Sequence, residues 1–442
     1  MQTSAAPGPS RLRLLRDYSK IRRNLVAYLA GLAEEYGDVV HLPLRWPTYM
    51  LRDPADIKHI LVTNYANYHK TGGLKAGKEL FGDGLVTSEI PLHPRQRRLI
   101  QPVFHRRTIA GFADVMTETT RRRTDQWKDG GTVDLGVELM QITLAIVGQV
   151  LFGVDLTRDA QHIGNAFLRS QLEITRAQHG LPLPKVFRAP GRLRYRRALR
   201  SIDDYVFGLI AERRARSSPS RDLLALLLAS RGEDGRPMDD RLVRDESVTA
   251  LMAGHETVSN SLVWTFYLLA QHPEAGQRVV DELHRVTDAR LPTVADIASL
   301  QYTGMVFAES LRLYPPAWTL ARRVLQPDLL PSGLLLPADS EVLLSQYVCH
   351  RNARYFPDPE RFDPERFDPR VKSDLPQFAY FPFGGGPRYC VGEPFAQMEA
   401  ILLIATILQQ HELELQPGQD IVPQALISMR PRNGIRMRVR RR

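Results

Sequence analysis

Apolar residues recur at three-to-four spacing over 107–128, 135–152, 194–217, 241–271, 275–287, 294–313 and 394–410, and each stretch predicts a helix. Strand-like alternation is scarcer. Residues 39–44 and 48–52 predict a hairpin near the start, while 334–336, 341–348, 412–416 and 427–439 lie far downstream. Early and late strands must then meet in space, and no point in the sequence divides the chain. The pattern predicts a mainly α fold in a single domain, 1–442, with a small β-rich lobe drawn from about 38–52, 330–348 and 412–439.

Proline and polar clusters at 181–191 and 218–236 read as surface loops, and 70–84, with five glycines, is too glycine-rich for a stable helix. The proline-dense 356–370 holds Pro-Glu-Arg-Phe-Asp twice, at 359–363 and 364–368, which predicts a rigid meander, since two units cannot form a solenoid. The first ten residues lack the order of a secretory signal and are expected to be without structure. Residues 11–35, basic and amphipathic, are expected to pack on the protein's own core and not on a membrane surface. The apolar runs at 262–270 and 400–408 are about half the roughly 20 residues of a spanning helix, so no transmembrane segment is expected.

A chain of 442 residues that is 43% apolar and 24% charged is neither disordered nor fibrous. Lys and Arg number 59 against 49 Asp and Glu, and the net charge of +10 suits docking to an acidic surface without implying nucleic acid. The scattered Trp and Tyr residues offer no stacking platform for RNA. Two cysteines, Cys349 and Cys390, exclude a disulfide framework and a four-thiolate metal site, and fit a reducing, cytoplasmic setting.

The candidate chemistry concentrates at Phe383-Gly-Gly-Gly-Pro-Arg-Tyr-Cys390-Val-Gly392, just before the last predicted helix. A glycine run lets backbone approach something flat and bulky. A cysteine ahead of a helix N-terminus, with Arg388 two residues upstream, is placed to be a thiolate. With no second cysteine or histidine nearby in sequence, it reads as an axial metal ligand or a nucleophile. The stretch resembles the haem-binding loop of the cytochrome P450 monooxygenases, Phe-x-x-Gly-x-Arg-x-Cys-x-Gly, at every defining position. The resemblance implies haem b (iron protoporphyrin IX) with Cys390 as the proximal iron ligand. It also implies Phe383 packed near that ligand, Arg388 paired with a propionate, and Gly386 and Gly392 permitting close approach.

The family's other motifs follow in order. Ala253-Gly254-His255-Glu256-Thr257 lies inside the predicted helix 241–271, where Gly254 costs about 1 kcal/mol against alanine and suggests something pressed on the backbone. Glu256 and Thr257 can loosen the helical ladder and hold water. The resemblance lays Ala253 and Gly254 across the distal haem face and makes Thr257 and Glu256 a proton relay for oxygen activation. Glu309-Ser-Leu-Arg312 implies the buried Glu–Arg–Arg network that braces the haem loop. The duplicated segment offers Arg361 or Arg366 as its second arginine, and family spacing favours Arg366. His93-Pro-Arg-Gln-Arg97 resembles the segment that holds a propionate through its histidine and second arginine, and Arg323, with Arg322 as alternative, resembles a further propionate contact. By family position the substrate pocket is walled by 75–85 with Val86, by Thr249 and Ala253, by Trp318 and Leu320, and by Leu426 and Ile427.

A near phosphate loop, 72–78, has Glu79 where Ser or Thr would bind magnesium, and no buried strand precedes it. Adjacent Cys349 and His350 cannot comfortably share one metal, so Cys349 reads as a core residue. The resemblance runs from about 36 to 439 and implies a haem-thiolate monooxygenase. Such an enzyme inserts one atom of O2 into a small apolar substrate (fatty acid, terpenoid or polyketide) and releases the other as water. With no flavin or iron–sulfur module in these residues, electrons are expected from a ferredoxin or flavodoxin with its reductase, steered by Arg95, Arg98, Arg106, Arg107 and Arg388. The competing readings are a peroxide-driven peroxygenase, against which the Glu256–Thr257 pair argues, and a non-catalytic haem or substrate-presenting protein.

Overall fold

The computed structural model describes residues 6–71, 77–157, 159–179, 185–215, 222–231, 235–370 and 375–442. Distant strands do meet: Val39–Pro43, Pro47–Leu51, Glu341–Leu344, Leu320–Val324 and Tyr68–Lys70 form one sheet in that order. Only the pairing of Pro47–Leu51 with Glu341–Leu344 is parallel. Side chains alternate across it, as the period of two requires. One face packs Leu51, Val324, Val342 and Leu344 against Leu61, Phe378 and Phe381; the other packs Val40, Leu42 and Met50 against Val26, Leu29 and Leu32 of helix Leu25–Tyr36. The sheet belongs to a compact unit made of Met1–Gly73, Met305–Cys390 and Asp420–Asn433.

The second unit, Leu74–Gly304, Val391–Gln419 and Gly434–Arg442, is mostly helical. Helix Leu135–Phe152 is capped at its start by the Asp134 carboxylate and closed by Gly153 in the left-handed region. It packs against helix Asp240–Gln271, where Thr143 Oγ donates to His255 O at 3.1 Å. By length and a mean hydropathy of 1.7 over 18 residues it is apolar enough to cross a membrane, where the sequence pattern predicts no such helix; two thirds of it is buried.

Several expectations are corrected. The late strands do not join one lobe: His411–Leu415 and Arg436–Arg441 pair with each other, and the latter with Thr132–Asp134, in the second unit, while Pro423–Ala425 and Met429–Pro431 form a hairpin in the first. The run 427–439 is two strands because Gly434, at φ +70°, turns the chain between them. Helices Leu223–Ala229 and the start of Lys185–Ala215 occupy stretches expected as loops, and Ala160–His179 is a helix that was not predicted. Of 11–35, only Leu25–Tyr36 packs as expected; Arg11–Arg16 and Tyr18–Arg23 bury no residue, and Leu12 and Leu15 are 78% and 70% exposed. Residues 6–10 are held, by His41 N–H donating to Pro7 O at 2.7 Å and by Ser10 capping the first helix. Residues 1–5, and 72–76 of the expected pocket wall 75–85 and phosphate-like loop, lie outside the described residues.

Candidate active site

In the first unit, the glycines of the loop from Phe381 to Cys390 are dictated by the protein's own packing. Gly384 and Gly386 have φ of +76° and +64°. A Cβ on Gly386 would lie 1.9 Å from Leu61 O, and one on Gly385 2.4 Å from the Phe378 ring. These contacts require glycine at 385 and 386 whatever else the loop approaches. Gly392 would meet only the Phe104 ring, at an ordinary 3.8 Å. Cys390 N–H donates to Phe383 O and Tyr389 N–H to Gly386 O, each at 3.0 Å, which leaves the Cys390 side chain exposed and Phe383 and Arg388 half-buried. Cys349, by contrast, is buried with Sγ 3.8 Å from Leu51 O, and desolvation pushes its thiol well up, so it is inert.

Behind the loop, Glu309 and Arg312 are fully buried on helix Gln301–Leu313. Arg312 donates to both Glu309 oxygens at 2.6 and 2.8 Å and to the carbonyls of His350, Pro359 and Arg361 at 2.7–3.0 Å. Arg366, not Arg361, brings a guanidinium to Glu309, at 3.6 Å; Arg361 contributes only its carbonyl. Burial, with the charges of Arg312 and Arg351, pushes His350 down to about 3. The neutral ring's Nε2 accepts from Phe381 N–H at 2.9 Å, which ties the network to the start of the cysteine loop.

Strand Leu320–Val324 sends the two candidate arginines to opposite faces. Leu320 reaches Gly384 of the loop, and alternation puts Arg322 on the side of Leu320 and Val324. Arg323 points the other way, its guanidinium 4.3 Å from the Trp46 ring centre and 3.5 Å from Asp339. Register sets Lys70 directly opposite Arg322. Two cations on one face of the strand pair suit carboxylates. Trp318, expected as a pocket wall, is instead part of the apolar core with Val26, Leu29 and Met429, its indole N–H donating to Leu426 O at 2.8 Å. Leu426 is buried too, while Leu320 and Ile427 keep partial exposure.

In the second unit, helix Asp240–Gln271 runs unbroken through Ala253–Thr257. A Cβ on Gly254 would come 2.9 Å from Val147, so close approach of helix Leu135–Phe152 accounts for this glycine. The helix is otherwise largely buried, yet Ala253 is exposed and Ala250, Gly254 and Thr257 are half-exposed. Thr257 Oγ donates back to Ala253 O at 2.7 Å. Glu256 is buried, and Gln171 Nε2, from helix Ala160–His179, donates to its Oε2 at 2.5 Å. Gln171 is the candidate missed from sequence. Burial pushes His255 down to about 4, so its ring is neutral, with Nδ1 bonded to Leu251 O.

His93 and Arg97 share a face of helix Leu92–Ile100, the first buried and the second half-buried. Asp245 and Glu246 accept from the N–H groups of Asp83 and Leu85 at 2.9 and 3.0 Å, fixing 82–85 to the long helix beside half-buried Val86. The buried Thr249 hydroxyl lies against Gly84 and makes no hydrogen bond among the described residues.

The described residues hold no cluster of three or more His, Cys, Asp or Glu arranged for a metal. A porphyrin brings its own equatorial nitrogens and asks the protein for an axial donor, small side chains and cations for its carboxylates. Within the first unit, the exposed Cys390 and the Lys70–Arg322 pair fit the axial donor and the cations; within the second, Ala250, Ala253 and Gly254 are small side chains left partly exposed.

The family model described as Cytochrome P450 matches residues 7–436. Pentalenene oxygenase of Streptomyces avermitilis is 32% identical over an alignment covering 98% of this chain and 97% of that protein. Cyclooctatin synthase of Streptomyces melanosporofaciens is 33% identical, with 92% and 89% covered. The crystal structure of the cytochrome P450DA heme domain matches the fold with a TM-score of 0.90, covering 100% of this chain and 99% of that one at 24% identity. With a thiol loop of the haem-ligating pattern, a mainly α fold and near full-length kinship of this kind, the chain belongs to the cytochrome P450 family of haem monooxygenases.

Proposed function

We propose that this monooxygenase oxygenates a terpenoid at haem b, drawing electrons from a separate ferredoxin or flavodoxin with its reductase in a reducing, cytoplasmic compartment. The observation that carries the substrate class is kinship over nearly the whole chain to a pentalenene oxygenase and a cyclooctat-9-en-7-ol 5-monooxygenase. The overall change is RH + O2 + two electrons + two protons giving ROH + H2O. The haem, when bound, supplies O2 activation.

Cys390 would supply its thiolate ligand, with Phe383 nearby in the same loop. Arg322 with Lys70, His93 with Arg97, and Arg388 would hold its carboxylates, Arg322 being preferred to Arg323 because Arg323 faces Trp46 and Asp339. Ala253 and Gly254 supply a small-residue surface, and Gly392 leads from the ligand into helix Glu393–Gln410. Glu256 and Thr257 hold and pass protons. Glu309, Arg312 and Arg366 keep the loop in place. Val86 and Thr249 in the second unit, and Leu320 and Ile427 in the first with Trp318 and Leu426 in the core beside them, are the residues assigned to the substrate. Exposed Arg95, Arg98, Arg106 and Arg107 suit an acidic electron donor.

The test is the absorption spectrum of the reduced, carbon-monoxide-bound protein. A strongly red-shifted Soret band is expected, and Cys390→Ser abolishes it. A C390S protein that retains the band refutes the ligand. Pentalenene and other cyclic terpenes, titrated into the ferric protein, are expected to shift its spin state; a response to fatty acids alone would exclude the substrate class.

A further inference from the structure

We propose that Gln171 is a positioning residue that lets Glu256 change protonation state in every turnover; the proposal rests on the proton-holding role given to Glu256 above. Gln171 is only 1% exposed, on a helix face that otherwise buries Ile163, Phe167 and Ile174. A glutamine in such a stripe is unfavourable unless it is hydrogen-bonded. Phe167, one turn before it, packs its ring 5.5 Å from that of His255, so the same face meets both His255 and Glu256.

Only half of the amide is engaged. Nε2 donates to Glu256 Oε2 at 2.5 Å, and Oε1 is buried with no hydrogen-bond partner among the described residues. A carboxamide turned by 180° exchanges donor for acceptor. As placed, it donates to the carboxylate; turned over, Oε1 accepts from the carboxylic acid O–H. Because Oε1 holds no other bond, the turn breaks only the one it replaces. An arginine or lysine at 171 would pin Glu256 as an anion, and an apolar residue would offer neither form a hydrogen bond from this position. The proton enters from water onto the Glu256 carboxylate and leaves toward the oxygen atom that becomes water, so Glu256 ends each cycle ionised.

The test uses the holoenzyme with a surrogate ferredoxin, its reductase, NADPH and styrene as a small apolar probe. Rates and solvent isotope effects are measured with O2 and again with hydrogen peroxide, which brings its own protons and electrons (H2O2 + styrene giving styrene oxide + H2O). Gln171→Met is expected to slow O2-driven turnover about tenfold, the worth of one charge-assisted hydrogen bond. Its isotope effect should rise, and its peroxide-driven rate should stay within about twofold of the parent. Gln171→Glu, which keeps the reach and can still exchange a hydrogen bond, should retain most of the O2-driven rate. The infrared carboxyl band that vanishes in Glu256→Gln should shift in Q171M, with haem or without it.

E256Q should show the same kinetic signature more strongly; normal O2-driven kinetics in E256Q would overturn the proton-holding reading itself. If E256Q behaves as expected while Q171M keeps the parent's isotope effect and carboxyl band, the positioning role is wrong. Equal losses with O2 and with peroxide in Q171M would also overturn it, by showing a general structural defect. If Q171M fails to fold, Gln171→Asn, one methylene short of Glu256, answers the same question.

Discussion

Arg312→Ala strips five hydrogen bonds from a fully buried site. Two run to Glu309, and three satisfy the carbonyls of His350, Pro359 and Arg361. Glu309 would then keep the Asp363 N–H, at 2.9 Å, and the more distant Arg366 guanidinium at 3.6 Å. Breaking a buried pair by removing one partner costs about 3–5 kcal/mol. That is a large part of the roughly 5–15 kcal/mol that holds a typical native state. Arg312→Lys should recover little, because a single ammonium cannot supply a planar fork to Glu309 and three carbonyls together. Arg366→Ala should cost less, about 1–2 kcal/mol, since its side chain is 14% exposed and its hydrogen bonds go to Pro357 O and Asp358 O. Arg361→Ala, whose exposed side chain is not used, should stay within about 0.5 kcal/mol of the parent. With two compact units a single unfolding free energy is not well defined. The assay is therefore the order of urea midpoints by circular dichroism, alongside the fraction of protein that takes up haem. Haem uptake should fall with stability, because Arg312 holds His350, and His350 holds Phe381 at the start of the cysteine loop. An R312K protein with the parent's midpoint, or R361A as damaging as R366A, would refute this reasoning.

Acid should destabilise the protein well above the carboxylate range. Buried His255 and His350 are pushed down to about 4 and about 3, so below the unfolded value near 6.5 the unfolded chain binds more protons. Stability should therefore fall from about pH 6.5 toward 4, by up to about 1.4 kcal/mol per pH unit for each histidine; a urea midpoint unchanged between pH 7 and 5 contradicts this. Arg322→Ala should weaken haem retention, measured by transfer to apomyoglobin, more than Arg323→Ala does; the reverse order would return the propionate contact to Arg323. Charge reversal at Arg106 and Arg107 should slow reduction by an acidic ferredoxin at low salt and leave spin-state titrations unchanged, and an unaffected reduction rate would remove that face from docking.

What sequence discloses here depends on whether a residue's role is local or set by a distant partner. Helix Leu135–Phe152 is readable residue by residue, since its cap, its apolar stretch and its closing glycine all lie within the segment. The cysteine loop is legible as a pattern, but its glycines answer to Leu61 and Phe378, hundreds of residues upstream in one case, and no spacing rule reveals that. Arg322 and Arg323 are chemically identical neighbours. Their faces follow from the pairing of Leu320–Val324 with Tyr68–Lys70 and Glu341–Leu344, and a one-residue slip would exchange them. Trp318 is a pocket wall by family position, yet the distant Leu426 carbonyl takes its indole N–H. Gln171 was hidden for the same reason in sharper form. Along its own helix it is a polar residue in an apolar stripe, and only contact with Glu256, 85 residues on, suits it to the role proposed above. Buried polar residues that spoil an amphipathic pattern are therefore where partners should be sought first, because a native core tolerates them only when something distant satisfies them.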